Sequence, residues 1–201
     1  DEAWEERKDV PLTAAEEREL DAYLQGRQSG KNEVVNYWPS MEVRQEFIVE
    51  QLRLDPRKPI LSMFTNILWD TAVYQRDRGF VGMFDWLQHT IDDVARIPEL
   101  QLVLRIHPAE VRLTQKTRER VADRLAQLYP VLPPNVAVVS ADSDISSYAL
   151  IDISTAVAVY TSTVGLEATL RGVPVLVAGE THYRNKGFTY DVDSPEQFAA
   201  W

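Results

Sequence analysis

The chain has no cysteine among its 201 residues. That excludes a disulfide framework and any thiolate metal site, and it fits a reducing compartment, so a cytoplasmic setting is expected. No apolar run approaches the roughly 20 residues that a bilayer span needs, and no signal peptide opens the sequence. Cations are in the minority: 21 Lys and Arg stand against 31 Asp and Glu, a net charge of −10. Binding along a nucleic acid needs clustered cations, so no nucleic-acid partner is expected, and an anionic ligand must be held by a few local groups. Familiar cofactor motifs are missing too. No G-x-G-x-x-G follows the first predicted strand and no G-x-x-x-x-G-K-[ST] occurs, which removes the usual dinucleotide and P-loop sites. No G-x-S-x-G elbow occurs, and the acidic cluster and lysine of receiver domains are absent. The carboxylates Asp142 and Asp144 share one predicted strand end but read equally as a helix cap, and no metal spacing is seen. The first residue is Asp1, and the chain is read as a piece of something longer.

What is present is an alternation. Residues 1–55 read as a helical lead-in. Thr13-Ala14-Ala15-Glu16 has capping-box spacing ahead of Leu20, Tyr23 and Leu24, and a second helix carries Val43, Phe47, Ile48 and Leu52 on one face. From residue 56 to 201 short apolar strands alternate with helices, the signature of an α/β domain: a Rossmann-like, doubly wound parallel sheet of about five strands. The strands are predicted at 60–65, 102–106, 136–140, 156–160 and 173–178. The clearest helix follows the first of them, with Phe80, Met83, Phe84, Leu87, Ile91, Val94 and Ala95 at helical intervals.

In such sheets ligands collect beyond the carboxyl ends of the strands, near the point where strand order reverses. Those ends are chemically uneven here. Strand one runs into Asn66-Ile67-Leu68-Trp69-Asp70 and a loop of about fifteen residues, long for this kind of connection. Strand two ends at His107-Pro108, strand four at Thr161-Ser162-Thr163, and strand five at a polar loop containing His182, Tyr183, Arg184 and Lys186. Ser162 and Thr163 open a helix, where unpaired N–H groups suit a phosphate, and Gly165 would let a ligand approach the backbone. On the residues alone an equally good account has Ser162 capping and Gly165 packing against the sheet. His107 reads as a phosphate donor or as a histidine bonded into its own turn. The strand-five loop reads as a lid or a mobile edge.

Taken in order, LSMFTNILWD, FVGMFDWLQHTI, LVLRIHPAE, VYTSTVGLEATLRGVPVLVAG and THYRNKGFTYD resemble the bacterial capsule polysaccharide biosynthesis proteins, the Kps-type transferases that add β-linked Kdo. The most specific parts are RIHPAE (105–110), TSTVGLEA (161–168) and HYRNKGFTYD (182–191). These proteins are similar to GT-B glycosyltransferases, among them bacterial sialyltransferases that use CMP-sugars and carry a His-Pro motif. The resemblance implies a C-terminal, donor-binding half of a GT-B enzyme that binds CMP-Kdo without a metal or other cofactor. It further implies a glycan or glycolipid acceptor met through the other half, and a peripheral place in a capsule complex at the inner membrane. His107, Ser162 and Thr163, with Gly165 beside them, would hold the donor phosphate. Asn66, Asp70, Arg105, Glu167, Tyr183, Arg184 and Lys186 would face donor sugar or nucleoside, and the catalytic acid is expected in the N-terminal half. Two other readings remain open at this point: a UDP-sugar epimerase-like domain, and a non-catalytic partner-binding module using Trp69 and Tyr74.

Overall fold

A computed structural model describes residues 2–28, 41–68, 75–112 and 119–201. Contacts divide the chain into two compact units, Asp1–Pro39 and Ser40–Trp201. The first holds helices α1 (Glu2–Arg7) and α2 (Ala14–Gln28). The capping box predicted from sequence is formed: a Glu16 carboxylate oxygen accepts the Thr13 N–H at 2.7 Å, and the Glu16 N–H donates to the Thr13 hydroxyl at 3.3 Å.

The second unit begins with α3 (Gln45–Gln51). The sequence reading grouped this helix with the lead-in, but its Ile48 is fully buried in the core of the sheet unit. That burial places the division at Pro39 and not after residue 55. Six strands follow: β1 (Ile60–Phe64), β2 (Gln101–Arg105), β3 (Val136–Val139), β4 (Ala156–Val159), β5 (Val175–Val177) and β6 (Tyr190–Asp191). They form one sheet in the order β3-β2-β1-β4-β5-β6, every pair parallel. β1, β2, β4 and β5 are buried along their whole length, as near-continuous Val, Ile, Leu and Ala runs require when helices cover both faces.

One face carries α4 (Met83–Ala95), α6 (Val121–Leu128) and α9 (Pro195–Ala200); their Trp86, Leu87, Ile91, Leu125 and Phe198 share a core with Met63, Leu104 and Tyr160. The other face carries α3, α7 (Ser147–Ile153) and α8 (Val164–Leu170), packed on Phe64, Val103, Val159 and Val177. A short α5 (Ala109–Arg112) follows β2. The chain lays down β1, β2 and β3 in one direction and then crosses back to place β4 on the other side of β1. The reversal therefore falls between β1 and β4, and their carboxyl ends mark the crevice where ligands bind in this class of fold.

Candidate functional site

Register locates the rim of that crevice. Phe64 of β1 pairs with Arg105 of β2 and with Val159 of β4, and Val159 pairs with Val177 of β5. Two residues beyond that level stand His107, Asn66, Thr161 and Gly179, one from each of four adjacent strands. Two side-chain hydrogen bonds stitch the row together. The Asn66 amide oxygen accepts the Thr161 N–H at 3.2 Å across the switch point, and the Thr65 hydroxyl accepts the His107 N–H at 3.0 Å. Thr161 is held on its other side by Gly179, where a Cβ would come within 2.8 Å of the Thr161 methyl.

His107 is half-buried at this rim and is not a core residue. Its Nδ1 lies 3.1 Å from the Ala109 N–H, which points at it as a donor. A ring that accepts through Nδ1 carries its proton on Nε2. The reading of His107 as a histidine bonded into its own turn is thus met through Nδ1, which caps the turn into α5. His107 and Thr161 are two strand spacings apart, about 10 Å, with Asn66 between them. A group held jointly by His107 and by the β4–α8 turn must therefore sit over Asn66.

The β4–α8 turn carries its own hydroxyls. Ser162 is half-buried and Thr163 exposed. The Ser162 hydroxyl accepts the Val164 N–H at 3.3 Å, and its carbonyl accepts the Gly165 N–H at 3.3 Å. These bonds already satisfy first-turn N–H groups of α8, a helix of seven residues. The hydroxyls, more than a helix dipole, are what this turn offers a ligand. Thr161, to which the sequence assigns no role, is buried, and its hydroxyl oxygen has no hydrogen-bond partner among the described residues. Its signal was present in the alternation: it falls on the same level as His107 and Asn66 once the pairing register is known.

Several residues expected at a donor do other work. For Gly165 the sequence leaves two readings, an opening for a ligand and packing against the sheet. A Cβ there would lie 2.4 Å from the Tyr183 hydroxyl and 3.0 Å from Val159, so the glycine makes room for Tyr183. Tyr183 is itself 2% exposed and donates its hydroxyl proton to the Ser162 carbonyl at 2.5 Å, which fixes the turn from behind. Burial pushes its phenol above the ordinary value, so it remains a proton donor. Arg184 is buried and fans out to the carbonyls of Val177, Gly179 and Val192 and to Asp193, at 2.7 to 3.3 Å. It clamps the strand-five loop to β5 and to the residue after β6. The Arg78–Glu180 ion pair at 2.5 Å ties the same loop further.

Arg105 is likewise turned inward, donating to the carbonyls of Ser140 at 2.6 Å and Ser143 at 3.2 Å. Desolvation lowers its guanidinium to about 10, partly offset by Asp142 and Asp144, so it stays charged at neutral pH. Glu167 is buried in the first turn of α8. Lys186 is half-buried on the strand-five loop. Asp70, Trp69 and Tyr74 lie outside the described residues. Among the described residues no group of three or more His, Asp or Glu side chains could hold a metal ion, and no helix is long and apolar enough to cross a membrane.

The chain is similar in fold to the beta Kdo 2,4 transferase of Thermosulfurimonas dismutans KpsC, at 15% identity and a TM-score of 0.62, covering 95% of this chain and 56% of that one. It is also similar to E. coli ADP-heptose lps heptosyltransferase II, at 11% identity and a TM-score of 0.53, covering 87% and 55%. The chain thus spans a little over half the length of each. At these identities the likeness shows the fold alone, a GT-B-like layer of parallel strands and helices. Comparison with curated protein sequences gives no match. The family model for capsule polysaccharide biosynthesis proteins matches residues 22–200, and the chain belongs to that family.

Proposed function

We propose that this chain is the donor-binding domain of a glycosyltransferase of capsular or surface polysaccharide synthesis, and that its donor is CMP-Kdo. The observation that carries the reading is the row of His107, Asn66 and Thr161 across the strand-order reversal, with Ser162 beside it. The family membership supports it, as do two fold relatives, one named a beta Kdo 2,4 transferase and the other an ADP-heptose heptosyltransferase. The donor phosphate lies over Asn66. His107 donates through Nε2–H from one side, and the hydroxyls of Ser162 and Thr163 donate from the other.

Each hydrogen bond to the charged phosphate contributes about 1.5–3 kcal/mol, and all are aimed where charge grows as the CMP leaves. The departing nucleotide is stabilised by these hydrogen-bond donors, so the step needs no metal. The acceptor and the catalytic acid belong to the other half of a GT-B enzyme. This chain by itself binds donor and transfers no sugar. It works in the cytoplasm, at a complex peripheral to the inner membrane.

Calorimetric titration with CMP, UDP and ADP tests the reading. CMP is expected to bind most tightly. His107→Asn, whose amide oxygen can still accept the Ala109 N–H, should leave the melting temperature near wild type and weaken CMP binding about tenfold or more. Preference for UDP would favour an epimerase-like domain. Binding of none of the three nucleotides would overturn the assignment.

A further inference from the structure

Tyr183 reaches the β4–α8 turn from a loop that lies past β5, and it does so through a gap that only glycine leaves. Its Oη stands 2.4 Å, and its Cζ 3.2 Å, from the position a Cβ at Gly165 would occupy. The hydroxyl ends on the Ser162 carbonyl at 2.5 Å. The same carbonyl accepts the Gly165 N–H, so two donors converge on it from α8 and from the strand-five loop. Behind Tyr183 the loop is immobilised. Arg184 binds three carbonyls, the Asn185 N–H donates to Asp191 at 2.7 Å, and Phe188 stacks on the Tyr183 ring at 6.3 Å. A buried phenol held this firmly does not move with its target; the target is set by it.

We propose that Tyr183 is a positioning residue: its hydroxyl, passing over Gly165, fixes the Ser162 peptide so that the Ser162 hydroxyl meets a phosphate on the rim. This deepens the donor-binding reading and rests on it. The ligand class is a nucleoside phosphate, and the new content is that affinity depends on an atom that never touches it. An orienting hydrogen bond and a packing contact make different demands on this site. Packing is satisfied by any group that fills the space between Gly165 and the loop, whereas orientation needs the O–H.

The test uses the whole chain, CMP as titrant, and three variants: Tyr183→Phe, Gly165→Ala, and the two combined. Tyr183→Phe keeps the ring and should raise the Kd for CMP about tenfold, the effect of one lost hydrogen bond, with a small change in melting temperature. Gly165→Ala alone drives a methyl into the phenol oxygen and should lower the melting temperature markedly. In the double variant the clash with the oxygen is gone, but the methyl still lies 3.2 Å from Cζ and 3.0 Å from Val159, so the melting temperature should recover part of the way toward that of Tyr183→Phe while CMP binding stays weak. Recovery of wild-type affinity in the double variant, or unchanged affinity in Tyr183→Phe, overturns the positioning role and leaves donor binding standing. Absence of CMP binding in the wild-type chain overturns both. Tyr183→Phe alone introduces no new contact, so it keeps the test readable if the double variant folds poorly.

Discussion

Arg184 offers the sharpest separation between a ligand contact and a structural clamp. Arg184→Met keeps most of the aliphatic volume and removes the guanidinium. The Val177 carbonyl retains a partner, because the Val192 N–H also donates to it at 3.1 Å. The carbonyls of Gly179 and Val192 lose the donor that reaches them at 3.3 and 2.9 Å. Each buried acceptor left behind costs about 1–3 kcal/mol, and the two together about 2–6 kcal/mol. The bond to Asp193 adds little, since that carboxylate is 72% exposed. At about 2–4 °C per kcal/mol for a chain of this size, a loss near 4 kcal/mol lowers Tm by roughly 8–16 °C. Arg184→Lys should recover only part of this, because one ammonium cannot fan out as a planar fork does. Thermal melting followed by circular dichroism reads both variants. A Tm within a few degrees of wild type, combined with weaker CMP binding, would refute the clamp and restore Arg184 as a donor contact.

Glu110 makes a prediction about pH. It is buried, accepts the Val121 N–H at 3.2 Å, and burial raises its carboxyl above the ordinary 4.5. A carboxyl raised in the fold favours the protonated state there: its stabilising contribution is full below about pH 4.5 and is lost as pH rises through the folded value. Glu110→Gln keeps the acceptor without the charge, so Tm should rise by a few degrees at pH 7 and match wild type near pH 4; a lower Tm at pH 7 would contradict this. Gly179→Ala should cost about 1–3 kcal/mol by overpacking. Its Cβ would meet the Thr161 methyl at 2.8 Å and the Tyr160 and Arg76 carbonyls at 2.9 and 3.0 Å, so a displaced Thr161 should also weaken CMP binding in calorimetry.

Much of this fold is legible in the sequence. Apolar runs without alternation announce strands covered on both faces, and the helical spacing from Met83 to Val94 announces the helix that covers one of them. β6 escapes because two residues, one of them the exposed Tyr190, carry no period. α3 is assigned to the wrong neighbour because one buried side chain, Ile48, decides its allegiance. At the site, His107, Ser162 and Asn66 stand out as polar residues at strand ends. Arg105 and Arg184 look the same in sequence, since a cation beside a strand end reads alike whether it faces water or backbone carbonyls. Gly165 could not be explained locally. Its reason is Tyr183, eighteen positions away and in contact only after β5 has paired with β4.

Arg105 has a consequence of its own. It lies one alternation behind His107 on the same strand, is 3% exposed, and keeps its charge at neutral pH. A protein with ten surplus negative charges therefore stores one fixed positive charge beneath the ends of β2 and β3, where dissolved ions penetrate poorly. The field of so buried a charge is diluted little by added salt, unlike the pull of a surface lysine, and is tempered from within by the nearby carboxylates Asp142 and Asp144.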